Sequence, residues 1–392
     1  MVLIGSDCCK CPQIWLAPQY ATITAVNPSS GAVLWWEDRS EGGSASVSSY
    51  ECAVNSFGIA ESGQQTTGTS EPINTGLRIF DKERSPSGDV YTGTVSTVVR
   101  CLTADPLKNL FCFAIENTGA STTGVYFVDN SATTIGFINA IDVDMTQFNL
   151  PVLDGVGYFI RNAANGYYLA TLTTGGTETT IVSERCWHIK TCGEKLVYIK
   201  SQDDGGTDYI TVVVRDSAGN ETEYQSTIDA STVTIARVGI PGASFFSVQI
   251  RTTNYTVWTF DSSNVASGPI VTASSLVVVN DSMAIDTTGD LIIIDNRRLR
   301  RYDTGGLVWS ETSTTLFGDN YNIFDIDQWD GDILAIGKVG LAGDTFLARM
   351  QVDKTIDWQT AAPQAFGGKS AEEIVVDTIR GRIFLPHERV DK

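Results

Sequence analysis

The sequence predicts an all-β protein, a single β-propeller of eight four-stranded antiparallel blades, on three observations. Helical periodicity is almost absent: apolar residues alternate with polar ones or gather in short β-branched runs, as at 210–214, 276–279 and 291–294, the pattern of many short strands. Gly, Asn, Asp and Ser punctuate these runs, with 36 glycines spread along the chain and only 11 prolines, so no Pro-rich linker divides it. Finally, one hairpin unit recurs at a spacing of about 46 residues, close to that of a four-stranded propeller blade.

That unit reads apolar strand, Asp- or Asn-containing turn with Gly, then a second strand often ending in an aromatic residue. The clearest copy is Thr24-Ala-Val-Asn-Pro-Ser-Ser-Gly-Ala-Val-Leu-Trp-Trp36. Further copies fall at 78–93, 125–138, 167–181, 210–224, 255–271, 299–309 and 346–358. Between them lies a second hairpin, with turns Asn55-Ser-Phe-Gly58, Asp105-Pro-Leu-Lys-Asn109, Asp154-Gly-Val-Gly157, Thr191-Cys-Gly193, Asp286-Thr-Thr-Gly289, Asp327-Gln-Trp-Asp-Gly331 and Asp377-Thr-Ile-Arg-Gly381. Asx side chains bond their own turns and Gly supplies positive φ, so this is turn chemistry. The stretch 232–251 should hold the remaining copy, around the longer turn Gly239-Ile-Pro-Gly242.

The ends predict how the ring closes. The hairpin at 373–387 has no following partner and the hairpin at 20–36 has no preceding one. Pairing them completes one blade from N- and C-terminal strands and removes two sheet edges. The expected organisation is an N-terminal arm over 1–19 and a propeller over 20–392.

The segments Ala25-Val-Asn-Pro-Ser-Ser-Gly-Ala-Val-Leu-Trp35 and Arg301-Tyr-Asp-Thr-Gly-Gly-Leu-Val-Trp309 resemble the repeat of the pyrroloquinoline-quinone-type propeller superfamily, in which eight blades are common. The resemblance implies the fold; it does not carry function. Quinoproteins of that kind often place a vicinal Cys pair beside the cofactor. The pair here, Cys8-Cys9, precedes the first strand, and no Trp floor with a matched calcium set is evident. The expectation is therefore no cofactor.

Composition narrows the partners. The chain carries 27 basic and 46 acidic residues, a net charge of −19, which repels phosphate and disfavours both nucleic acid and anionic lipid. No apolar run reaches the ~18 residues of a membrane-spanning helix, and the start, Met1-Val-Leu-Ile-Gly-Ser-Asp7, lacks the basic n-region of a signal peptide. Only two histidines are present, His188 and His387, and no nucleophile elbow, Walker loop or zinc-protease motif occurs. The expectation is no catalytic and no metal-binding residue. The acidic stretch 325–332 has Trp329 where a calcium loop needs Asp. Cys101 and Cys112 lie on opposite arms of one hairpin, where free core thiols are the default and a bridge the alternative.

Two clusters remain. Cys8, Cys9 and Cys11 put three thiols within four residues, one short of a tetrahedral metal site unless a fourth ligand comes from elsewhere. Arg297, Arg298, Arg300 and Arg301 form the one dense basic run in an acidic chain, the place for an acidic surface of a neighbour to dock. The style of the sequence, rich in Thr, Ser and Gly with a short Cys-containing lead, resembles bacteriophage virion proteins of the tail. The resulting expectation is a non-enzymatic structural or interaction propeller in a virion assembled in a host cytoplasm, contacting other virion proteins or copies of itself. The alternatives are a carbohydrate- or receptor-binding propeller and a propeller enzyme, either glycosidase or quinoprotein.

Overall fold

The computed structural model describes residues 21–386 except 39–45, 67–71, 82–85, 93–96, 118–121, 142–149, 164–165, 240–244, 262, 274–282, 287, 296, 340–344, 362–363, 366–368, 371–373 and 378–379. The architecture is an all-β propeller with four-stranded antiparallel blades. Seven blades, numbered 1 to 7, are each built from four consecutive strands, over 46–92, 97–141, 152–182, 186–229, 235–273, 283–312 and 321–361. A further four-stranded sheet is composite: Val375–Asp377 and Arg382–Pro386 pair with each other, and Ala21–Val26 and Val33–Asp38 complete it. The sequence reading expects eight blades; seven are continuous stretches of chain, and the remaining sheet is split between the two ends. The splice is antiparallel, with Ile23 opposite Pro386, Ala25 opposite Phe384 and Val26 opposite Ile383. A two-residue pair, Gln364–Ala365 with Lys369–Ser370, stands apart.

The turns explain why these residues form these hairpins. At the outer hairpins Asn27, Asp129, Asp216, Asp261, Asp303 and Asp353 each accept backbone N–H bonds from their own turn, at 2.7–3.0 Å. At the inner hairpins Asn55, Asp105, Asp286 and Asp377 do the same. One expected opener differs: Asp327 lies inside the strand Tyr321–Trp329, opposite Leu334, and the turn falls at Asp330 and Gly331, both at positive φ. The cause is strand length, since this inner strand runs to Trp329 before it reverses.

Among the described residues no single central core forms. Instead, a cluster of buried side chains fills each interface between neighbouring sheets. Val197, Ile199 and Val212 of blade 4 pack on Val238, Phe246 and Val248 of blade 5. Val26, Ile383 and Leu385 of the composite sheet pack on Leu334, Ile336 and Leu347 of blade 7, while Ile23, Ala25 and Phe384 pack on Cys52 and Ile59 of blade 1. The composite sheet therefore joins the last blade to the first.

Polar staples cross the same interfaces. Asn55 donates to Leu110 O at 3.2 Å, Asp105 accepts from Gly155 N at 2.6 Å, and Asn264 reaches back to Val212 O at 3.0 Å. Trp358 donates to Pro28 O at 2.9 Å, holding blade 7 to the composite sheet. Its ring lies so close to Gly31 (φ +69°) that a Cβ there would sit 2.6 Å from Trp358 Cε3, so glycine is required by both conformation and space.

Candidate functional site

Antiparallel four-stranded sheets have two ends. One carries the inner and outer hairpin turns; the other carries the middle turns and the crossovers to the next blade. The arginine run lies on the third strand of blade 6, Arg298–Asp303, which pairs with Leu291–Asp295 on one side and Gly306–Thr312 on the other. Alternation along the strand sends Leu299 and Arg301 to one face and Arg298 and Arg300 to the other. Leu299 is fully buried in the contact with blade 7.

After Thr312 the chain turns into a short helix, Ser313–Phe317, which the sequence reading did not anticipate. Thr312 caps it by accepting from Thr315 N, Phe317 is buried, and Gly318 (φ 83°) ends it in the left-handed conformation. Ser313 N donates to Arg297 O at 2.8 Å, tying this crossover to the arginine run. Between them is a cavity of about 260 Å³ lined by Asp295, Arg297, Arg298, Arg300, Thr312, Thr314 and Asn320.

The four arginines do not act as one patch. Arg301 is held on the opposite face by Asp286, at 2.9 Å, and Asp290, at 2.8 Å. The period of two separates it from Arg300, which pairs with Asp295 and keeps a buried Nε with no acceptor among the described residues. Arg297 donates from Nε to Asn322 Oδ1 at 2.7 Å. Arg298 is exposed, and its side chain makes no hydrogen bond or ion pair among the described residues. Three of the four arginines therefore share the cavity. Thr312, Thr314 and Asn320, which the sequence reading missed, complete it from a crossover that carries no local motif.

Cys101 stands opposite Ala114 and Cys112 opposite Thr103, so the two do not face each other; both are buried with no disulfide between them, and burial pushes the Cys112 thiol well up. His188 is buried, and its Nδ1 accepts from Val238 N at 3.3 Å, which makes it an interblade contact. Cys8, Cys9, Cys11 and His387 lie outside the described residues. Asp325 is buried and accepts from Ile326 N and from Ile374 N of the chain entering the composite sheet. Asp327, two residues on, has its carboxyl pushed up to about 7 by burial, with Asp325 adding to the shift, while the Gln328 N–H and Lys190 of blade 4 oppose it. Asp332 instead pairs with Arg349. Among the described residues no group of three or more His, Cys, Asp or Glu is placed to hold a metal, and no helix is long and apolar enough to cross a membrane.

No protein-family profile and no curated protein matches this chain. Solved structures do. It is similar to oligopeptidase B from Leishmania major at 12% identity, with a TM-score of 0.55 over 87% of this chain and 53% of that one. A structure from a study of two prolyl endopeptidases aligns at 10% identity and a TM-score of 0.52, over 84% and 52%. The β-propeller domain of the trilobed protease from Pyrococcus furiosus aligns at 8% identity and a TM-score of 0.45, over 77% and 92%. The chain spans about half the length of the first two. Likeness at this identity carries the fold alone; it bears on neither the quinone-type repeat nor the virion reading.

Proposed function

We propose that this chain is a non-enzymatic interaction propeller, a structural part of a larger assembly of the virion-tail kind, with the composite terminal sheet serving as the eighth blade. One observation supports it most. A scaffold stapled across its blade interfaces presents Arg297, Arg298 and Arg300 around one cavity on a net acidic chain. A rigid ring fixes the geometry of whatever docks on its loops, and a local positive site on an acidic body selects an acidic partner surface and sets its register.

The reading is tested in the chain's native source. Gradient sedimentation with cross-linking mass spectrometry should place the protein in a particle-sized fraction, with cross-links from neighbouring proteins to residues near 295–320. Recovery of the chain only as a free monomer would overturn the reading. So would peptide, glycoside or alcohol turnover by the purified protein that disappears on Asp327→Asn.

A further inference from the structure

We infer that the cavity of blade 6 is a carboxylate seat that takes the Asp or Glu side chain of a docking protein. This rests on the interaction reading above and names the chemistry of the partner's anchor. The lining decides the class of occupant. Small-molecule sites are mostly apolar and usually ~300–1,000 Å³, whereas this cavity is about 260 Å³ and lined by one Asp, three Arg, two Thr and one Asn. It suits a single polar side chain.

Donors dominate the lining. Arg298 is unengaged among the described residues, Arg297 keeps its two Nη groups beyond the Nε bond to Asn322, and Arg300 keeps an unmet Nε. A buried donor without an acceptor is destabilising, and a carboxylate oxygen arriving beside Arg300 would meet that donor after a small shift of the side chain. Guanidinium groups bind carboxylates through paired N–H bonds, stronger than neutral ones.

Charge separates carboxylate from phosphate. Asp295 stands in the lining and is paired only with Arg300 among the ion pairs described, so three cations face one anion. The local excess is modest, in a chain of net charge −19. Attraction to the three arginines and repulsion from Asp295 both scale with the ligand's charge, whereas the cost of stripping its water grows as the square of that charge, so a narrow seat with this small local excess favours the carboxylate monoanion over a phosphate dianion.

The test uses the full chain and three probes: the peptide Ac-Gly-Glu-Gly-Glu-Gly-NH2, its Gln counterpart, and inorganic phosphate. The readout is the side-chain Nε–H NMR signals of the arginines. The Glu peptide should shift Arg298 and Arg300 saturably, with the Gln peptide and phosphate each about tenfold weaker or more. Arg298→Gln should weaken the Glu peptide about tenfold while leaving the unfolding midpoint unchanged. Equal binding of the Gln peptide, tighter binding of phosphate, or no saturable shift up to about 10 mM Glu peptide overturns the inference. If the particle association survives in Arg298→Gln, docking uses another surface and this inference alone fails. If the wild-type chain enters no particle, the interaction reading fails whatever the peptide does.

Discussion

The two ends of the blades use the same residue in opposite ways. At the hairpin end, Arg301, Arg349 and Arg380 are each locked by carboxylates. Arg380 bonds the fully buried Asp377 at 2.7 Å and reaches Asn55 O of blade 1 at 2.9 Å. Arg349 pairs with Asp332 at 2.6 Å and Asp357 at 3.4 Å, and contacts Pro28 O at 3.5 Å. These guanidinium groups are structural: they neutralise turn carboxylates and tie the composite sheet to both its neighbours. At the crossover end, Arg297 and Arg298 stand exposed beside a cavity. What separates the two roles is which end of a strand the residue occupies, and how many carboxylates the adjoining turns supply there.

That contrast can be broken by measurement. Arg380→Ala removes the guanidinium that neutralises the buried Asp377, and breaking such an ion pair costs ~3–5 kcal/mol; the denaturation midpoint should fall accordingly, and a loss under about 1 kcal/mol would remove the distinction between the ends. Asp327→Asn comes next and acts through pH. Its folded carboxyl titrates near 7, above the unfolded value of ~3.9. Between those values the folded chain keeps a proton that the unfolded chain has released. The penalty is therefore absent below about pH 4, grows as pH rises, and is complete above about 7. Asp327→Asn should raise stability at pH 8 by roughly 1–2 kcal/mol and change little at pH 4; equal gains at both pH values would contradict the assignment.

Trp358→Phe removes the bond to Pro28 O, with an expected loss of ~1 kcal/mol, read by thermal unfolding. The smallest effect belongs to Arg298→Ala, within about 0.5 kcal/mol of wild type, and a larger loss would show that the crossover end is structural too.

The hairpins were legible because their chemistry is local. Asn27, Asp105 and Asp303 each accept from a backbone N–H two positions away, so the turn is written in consecutive letters. Asp327 shows the limit: the same pattern of Asp and Gly slid by three residues because packing set the strand length. The arginine run was visible, and its alternation already separated Arg301 from Arg298 and Arg300. That Arg301 is engaged could not be read, since its partners Asp286 and Asp290 come from a different strand pair. Thr314 and Asn320 were illegible for a related reason. Thr314 sits in a helix of five residues, too short to leave a periodic pattern, and Asn320 in the irregular stretch just past it.

The splice between Ala21–Val26 and Arg382–Pro386 also sets a timetable. Val26 emerges from the ribosome about 357 residues before its partner Ile383, and at ~5–20 residues per second the wait is roughly 20–70 s. Throughout synthesis the early strand presents bare N–H and C=O groups to whatever edge arrives first, including that of another nascent chain. The interval is long compared with the ~1–10 μs of hairpin formation. Blades 1 to 7 can form as they are made, whereas the composite sheet must be the last act of folding. Slower translation between the codons of Val26 and Ile383, or crowding of many chains on one message, should therefore reduce soluble yield without altering the stability of the finished ring.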